Sequence, residues 1–351
     1  MRATAIEINW HPGLPVFACE SFLKAVGDEY GWIGGIDESG KLRCVLPYTV
    51  VRKAIFRMVR FRVETIPLGG ELDVDEEKSF LNSAMEYLRS IGIDMIIPAT
   101  TNTVFRTYPD GAIAAPYGSY IIDLCQNEDA LWRNISQKYR KDIRNALNKG
   151  VRIRDGIEHL DTAYRLIRDT FKRSNLAFMD YGSFKRMVLG LGENVKLLIA
   201  EYQEVAQSCT VFPFSTYSAY AVYGGSISEA IAGAMKLLQW EAIRMFRELG
   251  VQRFDLVGAR INPERGSKQE GITLFKQYLG GELREGYMWK YFHRSVGFLA
   301  YSLAVRFFRG GDIVDHERHK VKISRGLAID SSEACKGDAP SKFSCDCVSR
   351  A

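Results

Sequence analysis

Apolar and polar residues follow a strand-like pattern near the start of the chain, interrupted by residues that favour turns. Gly31 to Ile36 and Leu42 to Val51 are two β-rich stretches on either side of the polar segment Asp37-Glu38-Ser39-Gly40. Two such runs around a short polar turn predict a β-hairpin. The N-terminal part of the chain is therefore expected to begin with antiparallel strands.

A helical pattern follows between two further strand-like runs. From Glu76 to Ile91 apolar residues recur at positions i, i+3 and i+4, which places them on one face of a helix. Met58 to Ile66 precedes this segment and Ile93 to Ile97 follows it, and both are rich in apolar residues. Strands, helix and strand in this order predict an α/β unit with a mixed sheet.

The clearest helical pattern runs from Glu128 to Lys149, where apolar residues return with a period of 3.6 residues. Gly150 follows it at a position suited to a helix C-terminus, because glycine adopts the left-handed conformation readily. The opposite face of this helix carries a set of basic residues: Lys138, Arg140, Lys141, Arg144 and Lys149.

After Gly150 a similar order of elements returns. The predicted strands are Val151 to Arg154, Val195 to Glu201, Val205 to Phe214, Ser218 to Ser226, Arg253 to Val257 and Glu282 to Tyr291. The predicted helices are His159 to Arg173, Tyr181 to Leu189, Gly233 to Leu249 and Thr273 to Leu279. The fold class is α/β (α+β), in two successive domains over residues 1–127 and 128–311. From Asp312 onward the apolar residues no longer recur with a helical or strand period, which predicts a polar, disordered tail over residues 312–351.

Composition supports an ordinary globular protein. The chain has 351 residues, of which 46% are hydrophobic and 25% charged, enough for two cores. The sequence has no uninterrupted apolar run of about 18–20 residues and no N-terminal hydrophobic signal core, so we expect a cytoplasmic protein without stable membrane insertion. Seven scattered cysteines argue against a disulfide framework.

The net charge of +5 arises from 47 basic residues against 42 acidic ones. That excess is too small to indicate a dedicated nucleic-acid binder, but it is compatible with an anionic substrate such as a nucleotide or a tRNA acceptor end.

Three segments of the second half resemble a known family. They are LWRNISQKYRKDIRNALNKGV from Leu131, GAMKLLQWEAIRMFRELGVQRFDLVGA from Gly233 and GITLFKQYLGGELREGYMWKYF from Gly271. Together they resemble the FemABX-like peptidoglycan aminoacyltransferases and the wider GNAT superfamily, which includes BioF2-like acetyltransferase domains. The resemblance implies two tandem GNAT-like domains, the first degenerate, each a mixed, largely antiparallel sheet flanked by helices. It also implies transfer of an acyl or aminoacyl group to an amine.

The resemblance implies a catalytic role for one lysine. Lys276 lies in the FK…GG segment, where the family's lysine stabilises the developing negative charge, and Phe275 is its packing neighbour. Asp255, near the end of a predicted strand, is expected to orient the amine or accept its proton. The alternatives are an exposed lysine on an amphipathic helix and a carboxylate that caps a strand or pairs with Arg253 or Arg260.

Tyr223, Gly224 and Gly233 are expected to line the cleft, because Gly233 begins a helix whose N-terminus has free N–H groups for a phosphate. CoA-dependent GNAT enzymes carry Gln or Arg, two residues, Gly, one residue and then Gly or Ala at this turn. Here Ala230 and Met235 stand at the first and last of these positions. Their presence weakens the case for CoA as the donor. The alternative is a glycine that eases the turn.

Arg144 and the basic face around it are expected to contact substrate phosphates such as those of tRNA, although solvated helix faces often have this composition. His316 with His319 and Cys345 with Cys347 lack the spacing and partners of a metal site. We therefore expect no metal and no bound cofactor, with acyl-CoA or aminoacyl-tRNA as the co-substrate.

Three functions remain open on the sequence. The first is an N-acyltransferase acting on a small-molecule or polysaccharide-precursor amine. The second is a tRNA-dependent aminoacyltransferase acting on a peptidoglycan precursor in cell-envelope biogenesis, with charged tRNA as a partner. The family's muropeptide-binding arginine and tyrosine have no counterpart near Ala177 to Phe184. Their absence weakens the case for a peptidoglycan precursor as the acceptor. The third is a non-catalytic ligand-binding module that retains the fold.

Overall fold

A computed structural model describes residues 1–261, 263–293, 301–303 and 311–324. In the first part of the chain the strands are β1 (Arg2–Ile6), β2 (Glu29–Ile36), β3 (Leu42–Lys53), β4 (Phe56–Phe61), β5 (Ile66–Pro67), β6 (Met95–Ile96) and β7 (Ile113–Asp123). The helices there are α1 (Glu20–Val26), α2 (Val74–Ser90), α3 (Glu128–Asn134) and α4 (Gln137–Asn148).

The second part continues with strands and helices in alternation. Its strands are β8 (Arg152–Asp155), β9 (Val195–Tyr202), β10 (Val205–Pro213), β11 (Ala219–Tyr220), β12 (Tyr223–Ser226), β13 (Arg253–Asp255) and β14 (Glu282–Phe292). Its helices are α5 (Leu160–Arg173), α6 (Tyr181–Leu189), α7 (Ala234–Glu248), α8 (Lys268–Tyr278) and α9 (Ile313–Ser324).

Two sheets organise these elements. The ten-stranded sheet has the order β1-β2-β3-β4-β6-β14-β7-β13-β11, with β5 beside β3, and the four-stranded sheet has the order β12-β10-β9-β8. In each half an antiparallel meander leads into a strand, a helix and a parallel strand. These units are β4–α2–β6 and β11–α7–β13. The predicted mixed α/β fold in two similar units is confirmed.

Strand β7 is a central strand that the sequence pattern did not predict. It pairs with β14 on one side and with β13 on the other, both antiparallel. Pro116 and Gly118 within it resemble turn signals, yet Pro116 lies opposite Tyr287 in the ladder. Because β7 precedes residue 128 but pairs with later strands, one sheet joins the two halves. The domain boundary between residues 127 and 128 stays a prediction.

The single helix predicted from Glu128 to Lys149 is two helices. Ile135 has an extended conformation, and Ser136 caps α4 by accepting a hydrogen bond from the Tyr139 N–H at 3.4 Å. The Ser136 N–H donates to the Tyr278 carbonyl at 2.9 Å, which ties the break to α8. The apolar stripe remains periodic because Leu131, Ile135 and Tyr139 enter the same core.

The strand predicted from Ser218 to Ser226 divides between the two sheets. Strand β11 runs parallel to β13, whereas β12 runs antiparallel to β10. The Ala221 N–H donates to the backbone carbonyl of Asp255, whereas the next N–H, that of Val222, donates to the backbone carbonyl of Val211. The two sheets therefore diverge at this point, and Asp255 lies on the β13 side of the divergence.

Helix α9 lies where the sequence pattern predicted a disordered tail. The tail prediction is wrong for residues 313–324, and residues 325–351 lie outside the described residues. Val314 is buried, and the buried Lys290 ammonium pairs with Asp312 at 2.8 Å and with Asp315 at 2.7 Å. These contacts hold a polar sequence in helical form. None of the described helices is both long and apolar enough to cross a membrane.

Candidate active site

Asp255 ends strand β13 and is buried at the divergence of the sheets. One of its carboxylate oxygens, Oδ1, accepts hydrogen bonds from the Ser119 hydroxyl and, at 2.7 Å, from the Val257 N–H. Burial raises the pKa of Asp255 to about 6, and these hydrogen bonds oppose the rise only in part. The carboxylate is thus suited to exchanging a proton near neutral pH.

Lys276 lies on α8 and is also buried, with 7% of its surface exposed. Its ammonium group donates to the Val257 carbonyl and, at 2.6 Å, to the Gly258 carbonyl. Burial lowers the pKa of Lys276 to about 8, while the negative charge of Asp255 acts in the opposite direction. The alternative of an exposed lysine on an amphipathic helix is wrong.

The turn after β13 presents these two carbonyl groups to Lys276. Val257 has φ 39° and Gly258 has φ 56°, two consecutive left-handed residues. Such a conformation is uncommon for a β-branched residue and persists only where the surroundings impose it. The Gly258 N–H donates to the Thr101 carbonyl at 3.1 Å, which anchors the turn to the first half of the chain.

The sequence reasoning missed a group of polar residues around Asp255. Arg284 on β14 lies opposite Ser119 on β7, and its Nη1 is 3.4 Å from Oε1 of Glu64, which follows β4. Tyr220 on β11 pairs with Asp255 across the parallel ladder. No local signal predicts this group, because it is assembled across β7, the strand that the pattern did not predict.

The remaining predicted residues lie elsewhere in the second half. Phe275 packs against Tyr139 of α4, with ring centroids 5.9 Å apart. Tyr223 is buried in the core, where its ring lies 5.3 Å from that of Phe178. Gly224 is exposed on β12.

Gly233 lies directly against α4 at the start of α7. Its φ is 91°, and an added Cβ would lie 2.9 Å from the carbonyl carbon of Asp142 and 3.2 Å from Cβ of Ala146. Backbone atoms of α4 thus fill the space over this glycine. This contact supports a packing role for Gly233 at the turn into α7, and the phosphate contact stays a prediction.

Arg144 lines a groove of about 770 Å³ at the junction of α3 and α4. The groove is lined by Trp132, Arg133, Gln137, Lys138, Arg140, Lys141 and Arg144. No group of three or more metal-ligating side chains is found among the described residues.

Comparisons with known proteins agree with this architecture. Residues 111–204, from β7 to β9, match the model of the FemAB family. The crystal structure of FemX is similar at 14% identity with a TM-score of 0.64, covering 86% of this chain and 99% of FemX. The C-terminal domain of a protein described as a lysylphosphatidylglycerol synthetase, from Agrobacterium fabrum, is similar at 11% identity with a TM-score of 0.51. That match covers 82% of this chain and 91% of the other.

No curated protein sequence matches this chain significantly. At such low identities the two structures show a shared fold, and the family model adds a match in sequence. On these grounds the predicted resemblance to the FemABX family is confirmed: residues 111–204 match the family model, and the chain shares its fold with FemX.

Proposed function

We propose that this chain transfers an aminoacyl group from an aminoacyl-tRNA ester to an amine, with Lys276 and Asp255 as its catalytic residues. The observation that carries this proposal is the buried lysine and carboxylate around the turn after β13. Near pH 7, pKa values of about 8 and about 6 leave the lysine charged and the carboxylate ionised. That combination of a cation and a base is what acyl transfer to an amine requires.

The proposed step begins when the acceptor nitrogen attacks the carbonyl carbon of the ester. A C–N bond forms, the carbonyl oxygen becomes an oxyanion, and the Lys276 ammonium stabilises it. Asp255 takes the proton that the nitrogen loses. When the C–O bond to the ribose breaks, the leaving oxygen receives that proton. A single well-placed donor to the oxyanion contributes a factor of about 10² to 10³ in rate.

Two features favour an RNA ester over a CoA thioester. Ala230 and Met235 replace the residues of the CoA-binding turn. In addition, α4 lies against Gly233 at the start of α7, where a helix N-terminus would otherwise be open to a pyrophosphate. Both features affect the phosphate-binding end of a CoA molecule.

The polar group beside Asp255 supports an acceptor that carries charge as well as an amine. Glu64 suits an ammonium group, and Arg284 suits a carboxylate or phosphate on the same molecule. A peptidoglycan precursor with a free side-chain amine fits this description, and the resemblance to the FemAB family supports it.

The test is a comparison of donors with purified protein. A UDP-linked muropeptide that ends in a lysine amine serves as acceptor, with either mixed aminoacyl-tRNA or acetyl-CoA as donor, and mass spectrometry detects the product. We expect an aminoacylated muropeptide only with the tRNA donor. Transfer from acetyl-CoA alone would overturn aminoacyl-tRNA as the donor. Binding of both substrates without any product would favour a non-catalytic module.

A further inference from the structure

The groove between α3 and α4 holds a concentration of positive charge that the proposed chemistry does not use. Five of the residues that line it are cationic: Arg133, Lys138, Arg140, Lys141 and Arg144. No acidic residue lines it among the described residues. Four of the five cations lie within two turns of one helix, so their mutual repulsion disfavours the folded state unless an anion neutralises it.

None of these five cations forms an ion pair within the described part of the chain. Elsewhere on α4 the pattern differs, because Asp142 pairs with Lys236 of α7. Arg244 of α7 likewise pairs with Glu128 of α3, at 2.8 Å. The groove therefore keeps its charge available to a ligand.

Two of the cations are held in place by neighbouring groups. The guanidinium of Arg140 donates to the carbonyls of Trp132 at 3.3 Å and Arg133 at 3.0 Å. The Arg144 guanidinium lies 5.4 Å from the centre of the Trp132 ring, and that ring packs on Trp240 with centroids 4.8 Å apart. Such fixed positions reduce the entropy lost when an anion binds.

Helix α4, which lines the groove, packs against α8 through the face opposite the groove. Tyr139 on α4 lies between Phe275 and Tyr278 of α8, with ring centroids 5.9 and 5.4 Å away. Lys276 stands between those two residues in the sequence of α8. The helix that lines the groove therefore packs directly on the helix that carries the catalytic lysine.

We propose that this groove binds the phosphodiester backbone of the RNA that carries the aminoacyl group of the donor. The inference rests on the proposed function and adds the surface that holds the nucleic acid. The cations of α4 extend over roughly 10 Å along the helix, which is longer than one pyrophosphate and suits successive phosphates. A flat anionic membrane would reach the rim of such a groove less well than a flexible strand would.

The test measures binding of deacylated tRNA by fluorescence anisotropy over a range of salt concentrations. One variant combines Arg133→Ala, Lys138→Ala and Lys141→Ala, all exposed positions. The control combines Arg165→Ala, Arg168→Ala and Lys172→Ala on α5, which removes the same charge from another exposed face. Thermal unfolding of both variants confirms that they are folded.

We expect the groove variant to bind tRNA at least 10-fold more weakly, with a salt dependence reduced by about two ions, and the control to change affinity less than 3-fold. Equal affinities for the groove variant and the wild type would overturn the inference. Binding to phosphatidylglycerol vesicles but not to tRNA, lost in the groove variant, would overturn it in favour of a lipid.

The failure of the proposed function would look different. Lys276→Met is expected to bind tRNA as the wild type does while losing transfer. If the wild type binds tRNA through the groove but transfers nothing from aminoacyl-tRNA, RNA binding by the groove is supported and the proposed reaction is wrong. If the groove variant transfers at the wild-type rate, the proposed reaction is supported and the groove is not the site of RNA binding.

Discussion

Gly233 and Asp142 are in such close contact that no side chain fits between α7 and α4. The Cβ of any other residue at position 233 would lie 2.9 Å from the carbonyl carbon of Asp142. Two helices that follow different strands are thereby locked together at the start of α7.

Gly233→Ala is expected to reduce the free energy of unfolding by about 2–6 kcal/mol. The left-handed backbone and the overpacking against α4 each contribute about 1–3 kcal/mol. Gly150→Ala is the matched control, since Gly150 has φ 90° but no neighbour within 4 Å. Its expected cost is about 1–2 kcal/mol. Urea denaturation measures both, and equal losses would contradict a close contact at Gly233.

The transfer reaction is expected to have a bell-shaped pH dependence. Below about pH 6 Asp255 becomes protonated and can no longer accept a proton from the amine. Above about pH 8 Lys276 loses the charge that stabilises the oxyanion. The value of kcat/KM should therefore be highest between these limits and fall on both sides. A rate that keeps rising to pH 10 would contradict the role of Lys276 as a cation.

Ser119→Ala is expected to move the acidic limb of that profile to higher pH. The hydroxyl of Ser119 donates to Asp255 and stabilises its ionised form, so its loss raises the pKa of Asp255 further. The basic limb should move little. Because a merely structural effect would lower the rate at every pH, the displacement of one limb is the diagnostic measurement.

Lys290→Met is expected to release α9 from the sheet. The mutation leaves Asp312 without its buried partner, which costs about 2–4 kcal/mol, near the lower end of the range for broken buried pairs. Hydrogen exchange in residues 313–324 should accelerate. Lys320→Met breaks a more exposed pair with Glu317 and is the control, with an expected cost below about 1 kcal/mol. Unchanged exchange in Lys290→Met would show that other contacts hold α9.

Local patterns predicted most individual elements, and long-range pairing accounts for what they missed. The α6 helix was predicted residue for residue because its apolar spacing and its Asp180 cap are local signals. Strand β7 was missed because Pro116 and Gly118 are tolerated there only through its pairing with β14 and β13. Ser119, Glu64 and Arg284 could not be predicted for the same reason, whereas Lys276 was predicted from the family's motif and Asp255 from its position near the end of a strand.

The role of Lys276 in catalysis is tested by single-turnover transfer from aminoacyl-tRNA to a muropeptide amine with the Lys276→Met variant. Lys268→Met, an exposed lysine on the same helix, is the control. If Lys276 stabilises the oxyanion, its replacement lowers the rate at saturating substrate by about 10² to 10³, while the control remains within about 2-fold of the wild type. A Lys276→Met enzyme that is folded and transfers at the wild-type rate would show that Lys276 does not stabilise the oxyanion.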